Sequence, residues 1–91
     1  MNEKVFIIGI ELNNTAAYEK FEKYSFGAGL PFKILDGLYC VKAAYSTSSE
    51  QIRNTINSLF HDNCQVFVMK SSIDLSWRLP DRIGIWLKNN I

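Results

Sequence analysis

Between Lys4 and Leu12 the chain reads Lys-Val-Phe-Ile-Ile-Gly-Ile-Glu-Leu, and this segment constrains the fold more than any other. Its uninterrupted apolar stretch, Val5 to Ile10, falls far short of the roughly 20 residues a membrane-crossing helix requires. β-Branched and aromatic residues in a short continuous run read as a central strand, buried on both faces. Side chains alternate across a strand, so Phe6, Ile8 and Ile10 share one face, and Val5, Ile7, Gly9 and Glu11 share the other. The rest of the chain must supply partners for this strand's two edges and cover for both of its faces.

Downstream, Asn13-Asn14-Thr15 offers helix N-caps, and Ala16 to Tyr24 places Ala17, Phe21 and Tyr24 on one stripe, a short amphipathic helix. After a loop from Ser25 to Pro31, Phe32–Asp36 and Leu38–Ala44 meet at Asp36-Gly37, a tight-turn pair that predicts a β-hairpin. Thr47-Ser48-Ser49-Glu50 has the spacing of a capping box. Behind it Ile52, Ile56, Leu59 and Phe60 recur at helical period, His61-Asp62-Asn63 closes the helix, and Cys64 to Lys70 forms a fourth strand. Pro80 then opens a short helix carrying Ile83, Trp86 and Leu87. The order β-α-β-β-α-β with a C-terminal extension is the ferredoxin-like, split-βαβ pattern. The expected fold is α+β, with two helices on one face of an antiparallel sheet. No linker, repeat or low-complexity segment interrupts the chain, so residues 1–91 are expected to form a single domain, with 1–70 as the core and 71–91 as a Trp-containing extension.

Composition enters through what it excludes. At 47% hydrophobic and 21% charged residues the chain suits a globular fold and not disorder. Ten Lys and Arg against nine Asp and Glu leave a net charge of +1, a poor match to a dedicated nucleic-acid binder. No cationic leader with an apolar segment and small-residue cleavage site opens the sequence, which points to the cytoplasm and away from membranes. With both core helices on one face, Val5 and Ile7 leave the opposite face apolar. Either the Trp-bearing tail or a second subunit must cover it, and a homodimer is the favoured expectation.

Chemistry-bearing residues are sparse. Cys40 and Cys64 fall on strands that flank the first, about 9–10 Å apart by interstrand spacing, too far for a disulfide. With a single histidine they lack zinc spacing as well. His61, at a helix end, suits capping and the helix dipole. Gly27-Ala28-Gly29 follows a helix and not a strand, so it fails the context for phosphate binding. Trp77 and Trp86 have packing spacing more than base-stacking spacing. What remains is Glu11, the candidate catalytic residue, with Asn13 two positions on. A carboxylate at the end of a central strand, paired with its counterpart from a second subunit, can hold Mg²⁺ or Mn²⁺ for phosphodiester chemistry. Glu11 and Asn13 are the candidate metal ligands, and no organic cofactor is indicated.

The string Val5-Phe-Ile-Ile-Gly-Ile-Glu11-Leu-Asn13 resembles the first strand of small CRISPR-associated, metal-dependent nuclease-like proteins. The chain as a whole resembles the compact SinR family within that VapD-related, ferredoxin-like superfamily. The resemblance runs through Tyr39-Cys-Val-Lys42, Thr47-Ser-Ser-Glu-Gln51-Ile52-Arg53, Val66-Phe-Val-Met-Lys70, Trp77-Arg-Leu-Pro80 and Trp86-Leu-Lys-Asn-Asn90. It implies a ferredoxin-like homodimer with an acidic first-strand residue near the dimer axis, where a metal binds. It also implies a setting in defence or mobile elements, among RNA-cleaving toxins and the CRISPR adaptation scaffold. Two departures weigh against catalysis. The family's Asp is Glu11 here, one methylene longer, and a displacement near 1 Å can cost roughly 10²-fold in rate. The family's Ser-Thr before the hairpin aromatic is Gly37-Leu38, which removes hydroxyl donors. The resulting expectation is a catalytically weak or silent dimer that binds nucleic acid or a protein partner. The alternative is a Mg²⁺-dependent endonuclease or toxin using a Glu11 pair.

Overall fold

The computed structural model describes residues 3–27, 29–61, 63–72 and 74–91. Its elements are β1 (Glu3–Leu12), α1 (Thr15–Glu22), β2 (Phe32–Leu35), β3 (Leu38–Ala44), α2 (Ser49–Phe60), β4 (Cys64–Lys70) and α3 (Asp81–Asn90). The four strands form one antiparallel sheet in the order β2-β3-β1-β4. This is the ferredoxin-like α+β fold expected from the element order, with α3 as its extension. Among the described residues no helix is long and apolar enough to cross a membrane.

β1 is central, as its composition requires, and its backbone serves both neighbours alternately. The Ile10 N–H donates to the Gly37 carbonyl at 2.8 Å on the β3 side, and the Val5 carbonyl accepts from Ser71 N–H at 2.8 Å on the β4 side. Its even-numbered side chains Phe6, Ile8, Ile10 and Leu12 are buried under α1 and α2 with Phe21, Tyr39, Val41, Ile52 and Ile56. Aromatic packing tightens this layer, where Phe21 meets Tyr39 edge-to-face at 4.9 Å between ring centroids.

Helix boundaries differ from the sequence reading in two places, each for a local reason. The capping box forms at Ser48 and Gln51, one position beyond Thr47 and Glu50. Thr47 is held in the preceding turn, its N–H bonded to the Ala44 carbonyl at 2.9 Å, so the next hydroxyl along caps the helix. α1 stops at Glu22, short of Tyr24, whose ring turns to Phe26 at 4.9 Å. Asn14 caps its start by accepting from Ala17 N–H at 2.8 Å. The other end of α2 closes through His61 at φ 54, a left-handed backbone uncommon for a residue with a Cβ. Asp62 of the expected closing triplet lies outside the described residues.

The second face is covered from within the chain over half its width. α3 lays Ile83 and Leu87 against Ile34 and Cys40, with Val5, Ile7, Phe32 and Trp86 packed around them. The Trp86 indole stacks on Phe32 with centroids 4.4 Å apart and planes 5° from parallel. It is half-buried, not enclosed. The demand that Val5 and Ile7 make for cover is therefore met by the tail. On the β4 side of the same face, none of the described residues encloses Phe67 and Met69, which are 67% and 42% exposed.

Leu87 and Ile85 provide an internal comparison within α3. Leu87→Ala should lower stability by about 2–5 kcal/mol, whereas Ile85→Ala, at a 60% exposed position, should stay within about 0.5 kcal/mol. Chemical denaturation of the two variants side by side checks both values.

Candidate functional site

Glu11 sits where β1 outruns one of its neighbours. On one side it pairs with Gln65 of β4, while on the other the β3 register ends at Gly9 and Leu38. The Asp36-Gly37 turn bends over the end of β1 there. Gly37 has φ 77, and a Cβ on it would stand 2.9 Å from the Ile10 carbonyl oxygen. Only glycine meets both the dihedral and the approach. The absence of a hydroxyl-bearing side chain at this position thus has a steric cause in this chain: the hairpin tip is pressed onto β1.

Between that tip and α1 lies a cavity of about 600 Å³ lined by Glu11, Tyr18, Glu19, Glu22, Lys33 and Asp36 among others. Two of its four carboxylates have protein partners. The Tyr39 hydroxyl donates to Glu22 Oε2 at 2.5 Å, and Lys33 Nζ lies 3.0 Å from Asp36 Oδ1. The Tyr18 hydroxyl accepts from Leu12 N–H at 3.0 Å and so ties α1 to the end of β1. Among the described residues Glu11 and Glu19 have no ion-pair partner. Glu11 is exposed and also borders a shallow hollow with Gly9, Gln65 and Phe67.

Asn13, the second candidate ligand, lines a different hollow together with Lys20 and His61. The structure does not bring it into a common cavity with Glu11. Among the described residues there is no group of three or more His, Cys, Asp and Glu that could hold a metal ion. A metal at Glu11 would need ligands beyond those this chain assembles around it, such as a second carboxylate from a partner and water.

The cysteines behave as spacing required. β3 and β4 flank β1, and among the described residues Cys40 and Cys64 form no disulfide. Cys40 is buried, and burial pushes its thiol up to about 11. Cys64 is half-exposed and directs its Sγ to Asn57 Oδ1 at 3.9 Å and the His61 carbonyl at 3.8 Å. Trp77, 42% exposed, stands beside an apolar cavity of about 310 Å³ with Cys40, Leu38 and Leu87. The cavity at Glu11 escaped sequence reasoning because neither Tyr18 nor Tyr39 lies on a stripe or motif that points to it. Their hydroxyls were the available signal, since a buried phenol needs a polar partner.

No family model matches the chain. Compared with models of protein families, with curated proteins and with solved structures, it finds no counterpart among any of them.

Two measurements follow from the site. Gly37→Ala should cost about 1–3 kcal/mol through its left-handed dihedral alone, read as a fall in denaturation midpoint. The pH dependence comes from Cys40 and Tyr39, both held neutral by the fold. Burial raises the Cys40 thiol, while burial followed by the Glu22 carboxylate holds the Tyr39 phenol well above its usual range. Each group is easier to ionise when unfolded, so its contribution is complete below its ordinary value and is lost as pH rises beyond it. Denaturation midpoints should hold up to about pH 9 and fall toward pH 11, and Cys40→Val should flatten the lower part of that decline.

Proposed function

We propose that this chain is a small dimeric protein of the CRISPR-associated-nuclease-like type that its sequence resembles, catalytically weak or silent, and that it works by binding a protein partner. The observation that carries this reading is the isolation of Glu11: an exposed carboxylate at a strand end, with Asn13 turned to another hollow and Glu22 and Asp36 already engaged. Phosphodiester cleavage with a divalent ion needs several oxygen ligands converging on one point. Among the described residues they do not converge within one chain. The near-neutral balance of charge favours a protein partner over nucleic acid.

The second reading, a Mg²⁺- or Mn²⁺-dependent endonuclease, draws on the same residue. Glu11 is accessible, has no ion-pair partner among the described residues, and stands on the rim of a cavity with three further carboxylates, Glu19, Glu22 and Asp36. A second subunit bringing its own Glu11 close would complete a ligand set.

Incubating the protein with labelled RNA and DNA in Mg²⁺, Mn²⁺ or EDTA separates the two. The expected result is little or no cleavage, with any weak nucleic-acid binding fading steeply as salt rises. Cleavage that needs both the metal and Glu11, and is abolished in Glu11→Gln, would establish the endonuclease instead. Under that reading Glu11→Asp should raise the rate. Cleavage that persists in EDTA or in Glu11→Gln would remove Glu11 from either account.

A further inference from the structure

The two outer edges of the sheet are built in opposite ways. β2 is four residues long, its register is irregular between Lys33 and Leu35, it carries the Lys33–Asp36 ion pair, and Phe32 is capped by Trp86. A short strand, an irregularity and charge are the devices that keep an edge from pairing with another chain. β4 is neither short nor irregular. It runs seven residues, Cys-Gln-Val-Phe-Val-Met-Lys, in unbroken register with β1, without proline, and with Lys70 at its end as its one charge.

The hydrogen-bond phase of β4 follows from Ser71, whose N–H reaches the Val5 carbonyl. Antiparallel pairs alternate between bonded and non-bonded. Opposite β1, the bonded positions are therefore Gln65, Phe67 and Met69. The backbone N–H and C=O groups of Val66, Val68 and Lys70 point away from the sheet. Among the described residues none of these outward groups has a partner. The Val66 and Val68 side chains are anchored against the α1/α2 layer, so the edge is held straight. On the opposite face Phe67 and Met69 stand exposed beside Gly9, where even a Cβ would meet nothing within 4 Å.

We propose that β4 is a self-docking edge, along which a second copy of this chain adds antiparallel about a two-fold axis at Phe67, joining two four-stranded sheets into one of eight. This rests on the proposed function only for the chain being a dimer, and it holds apart the first-strand acids that the resembled family brings to the axis. A two-fold axis through Phe67 sets Val66 opposite Val68 of the partner and Val68 opposite Val66. Both are outward-facing positions, so all four exchange backbone bonds in phase. It also sets Phe67 against its own counterpart as a non-bonded pair, the arrangement in which cross-strand side chains come closest. The segment favours its own copy because it is self-complementary in register and apolar side chains. Its sole charge lies at the strand end, away from the axis.

This geometry has a consequence for Glu11. Glu11 is paired with Gln65, two residues from the axis and one strand inward. By strand spacing and rise, the two Glu11 positions then lie about 20 Å apart. Metal–oxygen bonds of about 2.0–2.6 Å cannot bridge that span. A dimer built on β4 is one in which the carboxylates cannot share an ion, in line with a silent site.

Charge reversal at the axis tests it. Phe67 is exposed in the single chain, so Phe67→Lys and Phe67→Glu should leave the circular dichroism spectrum of the fold nearly unchanged. In each variant, like charges would face one another across the two-fold axis. Sedimentation equilibrium at micromolar concentration should give about 20 kDa for the natural chain, twice its 10.4 kDa. Each variant should give half that mass, and an equimolar mixture of the two should return to the dimer. A natural chain that is monomeric overturns the proposal together with the dimer of the proposed function, and leaves the edge to a strand of another protein. If both variants remain dimers, the dimer stands and β4 is not its interface. Monomeric variants whose mixture does not recover overturn the two-fold register at Phe67.

Discussion

Everything in this sheet hangs on the two-sided hydrogen bonding of β1. Because its backbone groups alternate between β3 and β4, the side chains of one parity enter the α1/α2 core and those of the other face α3. A one-residue slip in either pairing would exchange the two sets and place Phe6, Ile8 and Ile10 on the thinner, half-covered side. Gly37 locks the register on one flank: its carbonyl accepts from Ile10, and its missing side chain lets the hairpin tip come that near. The same contact shapes the cavity at Glu11, so the strand that orders the fold also fixes the site.

Much of this was legible from periodicity. The limits of β3 and β4, the Asp36-Gly37 turn and the Ile52–Ile56–Phe60 stripe emerge from the sequence because each is a strong local pattern with a defined chemistry. Cap positions were less legible. Thr47, Ser48 and Ser49 offer three similar hydroxyls in a row, and a tertiary constraint, the turn bond from Thr47 to Ala44, selects among them. The cover on the second face was posed by sequence as a choice between tail and partner. The structure divides that face: α3 takes the Val5 and Ile7 half and leaves Phe67 and Met69 bare. Alternation identifies which residues share a face but not how wide a ten-residue helix spreads across it.

The candidate site shows the same boundary. Glu11 stands at the strand end that its sequence position suggests, whereas its grouping with Asn13 rested on nearness in sequence alone. β1 ends at Leu12 and the chain turns into the α1 cap at Asn14, so residues two apart diverge into separate hollows. The residues that do surround Glu11 come from α1 and from the hairpin more than twenty positions on, and no spacing rule joins them.

The late position of α3 matters for how the chain emerges during synthesis. The sheet is complete once Lys70 has appeared, but the helix that shields Ile34, Cys40 and Ile7 begins at Asp81. For that interval a nascent chain holds a finished sheet with one apolar face open and the outer edge of β4 bare, the kind of species that associates wrongly in crowded conditions. α3 then acts as a closing step whose timing decides whether the face meets its own tail or a neighbour's. In a dimer formed on ribosomes translating the same message, that ordering would let edge pairing precede closure.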